Sequence, residues 1–139
     1  MMKTAHLYLF NELTELEKLR SFLEETLTAW GVADSTVHSL NLVLEEAFVN
    51  IISYAFRDEN RHEIGFLFQL NETELVISVT DDGLPFDPTA QEPPDVRLPA
   101  EDRSIGGLGI FLIREMMDTV RYQRRDSLNE LILTKQISI

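Results

Sequence analysis

The hydrophobic period changes along this chain in an order that few architectures accommodate. Residues Met2–Phe10 alternate loosely and read as a strand. Leu13, Leu16, Leu19, Phe22, Leu23, Leu27 and Trp30 then recur at three- and four-residue steps. That spacing predicts an amphipathic helix over 14–30, with Thr14 as N-cap, Glu17 completing a capping box, and Gly31 as the stop. Asp34 or Ser35 opens a second helix that runs to about Phe56. Its apolar face is Leu40, Leu44, Ala47, Ile51 and Ala55, with Ser39, Val43, Glu46, Asn50 and Ser53 beside it. Residues 62–70 and 74–80 are rich in β-branched and aromatic residues, which predicts a hairpin turning at Asn71-Glu72-Thr73. A third helix opens at Gly106-Gly107-Leu108-Gly109, and 119–126 and 129–138 form a last hairpin around Ser127-Leu128. Helices and strands do not alternate one for one, so a doubly wound parallel sheet does not fit. The order predicts an α+β two-layer sandwich: an antiparallel or mixed sheet with three helices on one face.

The chain has 139 residues, which predicts one domain over 1–139 with one sizeable core. No stretch reaches the roughly 18 apolar residues of a membrane span. Asn11 and Glu12 interrupt the N-terminal apolar run, so no signal peptide is expected and the cytoplasm is the expected location. Absence of cysteine excludes disulfides, thiol nucleophiles and Cys-ligated metals. His6, His38 and His62 lie far apart, with no metal-ligand spacing. A net charge of −12 disfavours nucleic acid and anionic membranes as partners. The acidic surface either keeps the protein soluble or suits basic protein partners.

Three segments interrupt the apolar pattern. Glu46 and Asn50 are four apart on one helix, so both project from the same face. Their carboxylate and amide oxygens are the hard ligands that magnesium prefers. In Val79-Thr80-Asp81-Asp82-Gly83-Leu84-Pro85-Phe86 a strand ends in a carboxylate, and a glycine follows two residues later. Asp81 can accept from the exocyclic amino group that adenine has and guanine lacks at that position, and Gly83 lets the backbone approach a flat ring. Gly106, Gly107 and Gly109 stand at a helix start, where free amides attract phosphate. The P-loop lysine is missing and no strand immediately precedes the run, so it is neither a Walker A motif nor a dinucleotide fingerprint. Between the second and third segments, 88–105 holds four prolines and six charged residues without a period, the mark of a functional lid or a disordered loop. In so acidic a chain a nucleotide needs local compensation from a metal ion, helix N-termini and a few basic side chains.

In order and spacing, EEAFVNIISYAF, VTDDGLPFD, GGLGIFLIREMMDTV and NELILTK resemble the N, G1 and G2 boxes and closing strand of the GHKL ATPases, the gyrase, heat-shock chaperone, histidine kinase and mismatch-repair group. Within that group the chain is most similar to the bacterial anti-sigma factors that are serine/threonine-protein kinases. The resemblance covers about Thr4 to Lys135 and implies a mixed, mostly antiparallel sheet under three helices. It implies ATP and Mg²⁺ as cofactors. Asn50 would ligate Mg²⁺, Glu46 would be the general base, and Asp81 would hold adenine with help from Gly83 and Thr134. Gly106, Gly107 and Gly109 would meet the phosphates, 87–105 would be the ATP lid, and Arg103 could reach the γ-phosphate. The implied partners are a STAS-type anti-sigma antagonist, phosphorylated on serine or threonine, and a sigma factor that the protein sequesters. A homodimer is a further implication. The chain departs from the pattern at Tyr54, where relatives often carry histidine. A non-catalytic ATP/ADP-dependent binding switch is the alternative reading.

Overall fold

The computed structural model describes residues 2–90 and 107–137. Strand β1 (Met2–Phe10) leads through a short 3-10 turn at Leu13–Glu15 into helices α1 (Leu16–Ala29) and α2 (Asp34–Tyr54). Strands β2 (Glu63–Asn71) and β3 (Glu74–Asp81) follow, then α3 (Gly107–Met116), β4 (Thr119–Arg125) and β5 (Leu128–Gln136). The strands form one sheet in the order β1-β2-β3-β5-β4. Every neighbouring pair is antiparallel, so the sheet is not mixed. Tight turns account for two of these pairings. Glu72 takes a φ of 60° between β2 and β3, and Asp126 and Ser127 take 54° and 67° between β4 and β5. Two successive left-handed residues match the twist of a hairpin, so the last hairpin turns one residue earlier than its sequence suggests.

The sheet buries alternate residues, as a strand covered on one face must. Ile64, Phe66, Phe68 and Leu70 of β2 and Leu75, Ile77 and Val79 of β3 lie in the same core as Leu19, Leu23 and Leu27 of α1 and Leu40, Leu44, Ala47, Phe48 and Ile51 of α2. The layers meet through rings: Phe22 lies 5.5 Å from Phe68 and Phe48 lies 6.2 Å from Phe66, centroid to centroid. Truncating a wholly buried ring such as Phe68 would cost about 3–5 kcal/mol. The inward rows of β3 and β5 break this rule at one place. Their last apolar residues give way to buried Asp81 and Asn129, which face each other across the ladder.

The helix starts differ from expectation. The Thr14–Glu17 box does not form, because α1 starts at Leu16 and carries no side-chain cap. Glu15 is used instead. It is buried, accepts from the Phe10 amide at 3.1 Å and pairs with Lys18 at 2.9 Å. Lys18 and that amide hold its carboxyl below the usual carboxylate range. Neither Asp34 nor Ser35 caps α2: Ala33 is at the N-cap and Asp34 is already helical. Gly31, at a φ of 86°, closes α1 as a left-handed C-terminal residue should. The α2 helix stops at Tyr54, and the Ala55 carbonyl then accepts from the Leu84 amide at 2.7 Å, which ties the helix end to the turn after β3.

Candidate functional site

Helix α2 presents Glu46 and Asn50 one turn apart, the first half-buried and the second buried. The first turn of α3 lies against them. A Cβ on Gly109 would fall 2.8 Å from Glu46 Oε2 and 2.9 Å from Asn50 Nδ2, so a larger residue there would push these side-chain ends aside. This packing brings the positive end of α3 to the Glu46–Asn50 pair. Asn50 Nδ2 is buried with no hydrogen-bond partner among the described residues. Such an orphan costs about 1–3 kcal/mol and marks a place built for another group.

The other end of the site is Asp81, at the C-terminal end of β3. Its Oδ1 accepts from the Gly83 amide at 2.8 Å and from Asn129 Nδ2 at 3.0 Å. Burial pushes the Asp81 carboxyl above the usual range, and these two hydrogen bonds draw it part of the way back. Asn129 is the hub. Its Nδ2 also donates to the Leu84 carbonyl at 2.8 Å. Its Oδ1 accepts from Tyr122 Oη at 2.5 Å, Arg124 Nη1 at 3.1 Å and the Phe86 amide at 3.4 Å. Arg124 Nη1 also donates to the Gly83 carbonyl at 2.7 Å, which fixes the same turn from its far side.

Asn50, Asp81 and Asn129 line one cavity, walled by Ile51, Val79, Ile113 and Leu131 and covered by Phe86, Pro88 and Tyr122. The cavity holds about 10 Å³, space for one water. Pockets that hold nucleotide-sized ligands run to about 300–1,000 Å³. The cover is braced: Phe86 stacks on Tyr54 with centroids 5.1 Å apart, and Arg114 of α3 donates to the Thr89 carbonyl.

Beside the Asp81 turn, His62 bridges two carboxylates. Its Nε2 lies 2.8 Å from Asp58 and its Nδ1 3.0 Å from Asp82, while its ring stacks on Phe56 at 4.4 Å. A neutral imidazole would turn one lone pair toward an acceptor, so this geometry calls for the imidazolium. Asp58, with Asp82 adding, pushes the His62 pKa up.

Most of the residues singled out in the sequence meet here. Glu46, Asn50 and Gly109 come together, and Asn50 shares the cavity with Asp81. Gly107 opens α3. Gly83 meets a packing demand as well: a Cβ there would sit 2.5 Å from the Ala55 carbonyl oxygen, so the end of α2 requires the glycine. One assignment changes. Thr134 pairs with Val76, five positions along β5 from the Asp81–Asn129 pair, and alternation turns it to the opposite face of the sheet. Asn129 occupies the place given to Thr134. Its signal was a polar residue in phase with Leu131 and Leu133. Arg103, Gly106 and most of the expected lid over 87–105 lie outside the described residues. Within the described part, Pro88–Ala90 is a single 3-10 turn.

Glu46 and Asn50 offer hard oxygen donors of the kind that hold Mg²⁺ jointly with phosphate oxygens. The Asn50 amide can turn its oxygen to the orphaned position, since nothing among the described residues anchors the nitrogen there. Among the described residues no group of three or more histidine, aspartate or glutamate side chains is placed to hold a metal ion by itself. No helix among them is long and apolar enough to cross a membrane.

An antiparallel sheet under three helices, with a helix asparagine and a strand-end aspartate in one cleft, defines an ATPase class. The chain belongs to the histidine kinase-like ATPase domain family, whose profile matches residues 9–135. Within that family it is similar to protein kinases acting on serine or threonine. It is 34% identical over 96 residues to the serine/threonine-protein kinase BtrW of Bordetella bronchiseptica, covering 69% of this chain and 68% of BtrW. It is 32% identical over 112 residues to the serine-protein kinase RsbW of Listeria monocytogenes, covering 78% of this chain and 71% of RsbW. The corresponding figures for RsbW of Bacillus cereus are 31% over 121 residues, 80% and 74%. Among solved structures, the RsbU and RsbW domains of a Mycobacterium tuberculosis protein superpose with a TM-score of 0.70 at 14% identity, covering 97% of this chain. The chain spans only 32% of that longer structure. The histidine kinase AdeS of Acinetobacter baumannii superposes with a TM-score of 0.53 at 12% identity, covering 96% of this chain and 68% of AdeS. Both likenesses concern the fold alone.

Proposed function

We propose that this chain, as a single domain over 1–139, is an ATP-dependent serine/threonine-protein kinase of the anti-sigma factor type. The observation that carries this reading is that Asn50 and Asp81, from a helix and a strand distant in sequence, line one cavity while Gly109 closes onto Glu46 and Asn50. Asp81 accepts the adenine amino group, and Asn129 holds the carboxylate in place for it. The α3 amides from Gly107 on, with Gly106 and Arg103 ahead of them, meet the phosphates. Mg²⁺, when bound with ATP, supplies charge neutralisation at the phosphate oxygens, and Asn50 would hold it. Glu46 takes the proton of a partner's serine hydroxyl as its oxygen bonds to the γ-phosphorus. The bond from that phosphorus to the β,γ-bridging oxygen breaks, and ADP leaves with the electron pair.

The partner phosphorylated is an anti-sigma antagonist of the STAS type, and the partner sequestered is a sigma factor or an analogous regulator. A homodimer in the cytoplasm is the working form. Incubation with γ-labelled ATP and small antagonist proteins tests the reading, with label expected on a partner serine. Glu46→Ala should abolish that label while ATP still binds. Equal loss of binding and transfer would remove Glu46 from the base role. Bound ATP with no transfer to any antagonist would favour the non-catalytic switch.

A further inference from the structure

We infer that Arg124 is a positioning residue that sets the purine selectivity of the Asp81 end, because one of its nitrogens grips both groups that donate to the Asp81 carboxylate. Asp81 Oδ1 accepts from the Gly83 amide at 2.8 Å and from Asn129 Nδ2 at 3.0 Å. Arg124 Nη1 in turn donates to the Gly83 carbonyl at 2.7 Å and to Asn129 Oδ1 at 3.1 Å. Two other donors reach Asn129 Oδ1. The Phe86 amide is distant at 3.4 Å, and the Tyr122 hydroxyl can serve as an acceptor as readily as a donor. Arg124 is the close partner that can only donate. A charged donor at the oxygen of an amide polarises it and strengthens donation by its nitrogen.

Two donors occupy Oδ1, so a purine meets the carboxylate at Oδ2. Ionised, that oxygen only accepts, and it takes the six-amino group of adenine. Protonated, it can donate to the six-oxo group of hypoxanthine. Burial favours the protonated form and Asp82 adds to it, while Asn129, Gly83 and the positive charge of Arg124 oppose them. Glu63 of β2 lines a surface depression with Asp81 and Asp82 and is a further negative charge. From the helices the cavity takes Ala47, Asn50, Ile51 and Ile113, none of them charged. Among the described residues Arg124 is therefore the positive charge that keeps Asp81 a pure acceptor. This role presupposes that Asp81 receives the adenine amino group, as proposed above.

The test is calorimetry of ADP and IDP binding across pH, on the full chain and on its Arg124→Met and Arg124→Lys variants. The two nucleotides differ only in the base, where hypoxanthine has an oxygen in place of the amino group and a proton on N1. The parent should prefer ADP. In Arg124→Met that preference should shrink about tenfold. It should also fade at a higher pH than in the parent, since Asp81 without the guanidinium takes up a proton more readily. His62, which bridges Asp82, is common to all three proteins, so the difference between their profiles belongs to position 124. Arg124→Lys keeps the charge and one donor and should lose less of the preference. The ratio of the two affinities does not depend on the fraction of protein folded, and a merely loosened turn would weaken both nucleotides alike. Equal weakening of ADP and IDP in Arg124→Met, or a pH profile that coincides with the parent's, would overturn this role and leave Asp81 as the adenine acceptor. A parent that binds both nucleotides equally, or neither, would overturn both.

Discussion

Asn50 and Asn129 sit at the two ends of one cleft and are equally hidden, at 4% and 3% exposure. They differ in what their amides have found. Asn129 has both its nitrogen and its oxygen engaged, with five partners among them. Asn50 leaves its nitrogen without one among the described residues. The Asp81 end is therefore complete before any ligand arrives, and its order belongs to the stability of the fold. The α2–α3 end is left incomplete, and its missing interactions belong to whatever binds. Asparagine is a structural part at one end and a functional part at the other.

The largest effect should come from the complete end. Asn129→Ala strips a donor from Asp81 and takes a partner from the Leu84 carbonyl, the Tyr122 hydroxyl and Arg124, which keeps the Gly83 carbonyl. Urea unfolding should show a loss of about 3 kcal/mol, since five hydrogen bonds to a buried amide go at about 0.5–1.5 kcal/mol each and the part-buried partners will find water. A loss below about 1 kcal/mol would erase the contrast. Gly109→Ala comes next. The new methyl would displace the ends of Glu46 and Asn50, which are flexible. Stability should fall by about 1 kcal/mol while calorimetric ATP affinity falls about tenfold or more. Asn50→Ala should leave stability within about 0.5 kcal/mol of the parent, because removing an orphan offsets the lost contacts. Its Mg·ATP affinity should drop all the same. A stability loss as large as that of Asn129→Ala would mean that the two ends are alike.

The smallest effect concerns His62, which braces the Asp81 turn from outside. Its folded pKa is raised above the ordinary 6.5. The stabilisation is therefore full below about pH 6.5 and fades as pH rises through the raised folded value. The gap in melting temperature between the parent and His62→Gln should be widest at pH 6 and should close toward alkaline pH. A gap that widens with pH would remove the imidazolium from the bridge.

The fold was legible wherever period alone decides. The β2–β3 hairpin and the α1 and α2 stripes follow from residues that alternate or recur at helical steps, and burial follows the same rows. The site was legible where both partners share one helix, as Glu46 and Asn50 do. It failed where two strands had to be aligned. The choice between Thr134 and Asn129 depends on the register of β3 against β5, which has no local signal along either strand. The packing demand on Gly83 was hidden for a related reason, since nothing in Asp81-Asp82-Gly83 announces that the end of α2 will lie against it. The Thr14–Glu17 box lost to a longer contact, the Glu15 carboxylate reaching back to the Phe10 amide.

The narrowness of the cleft has a kinetic meaning. A purine has no room until Phe86 leaves Tyr54 and the Pro88 turn withdraws, so each arrival waits on a motion of the protein itself. Stopped-flow rates should then climb with nucleotide concentration only to a plateau, whose height is the frequency at which this aromatic shutter opens. The same shutter would make a captured nucleotide slow to escape, and occupancy would outlast brief swings in supply.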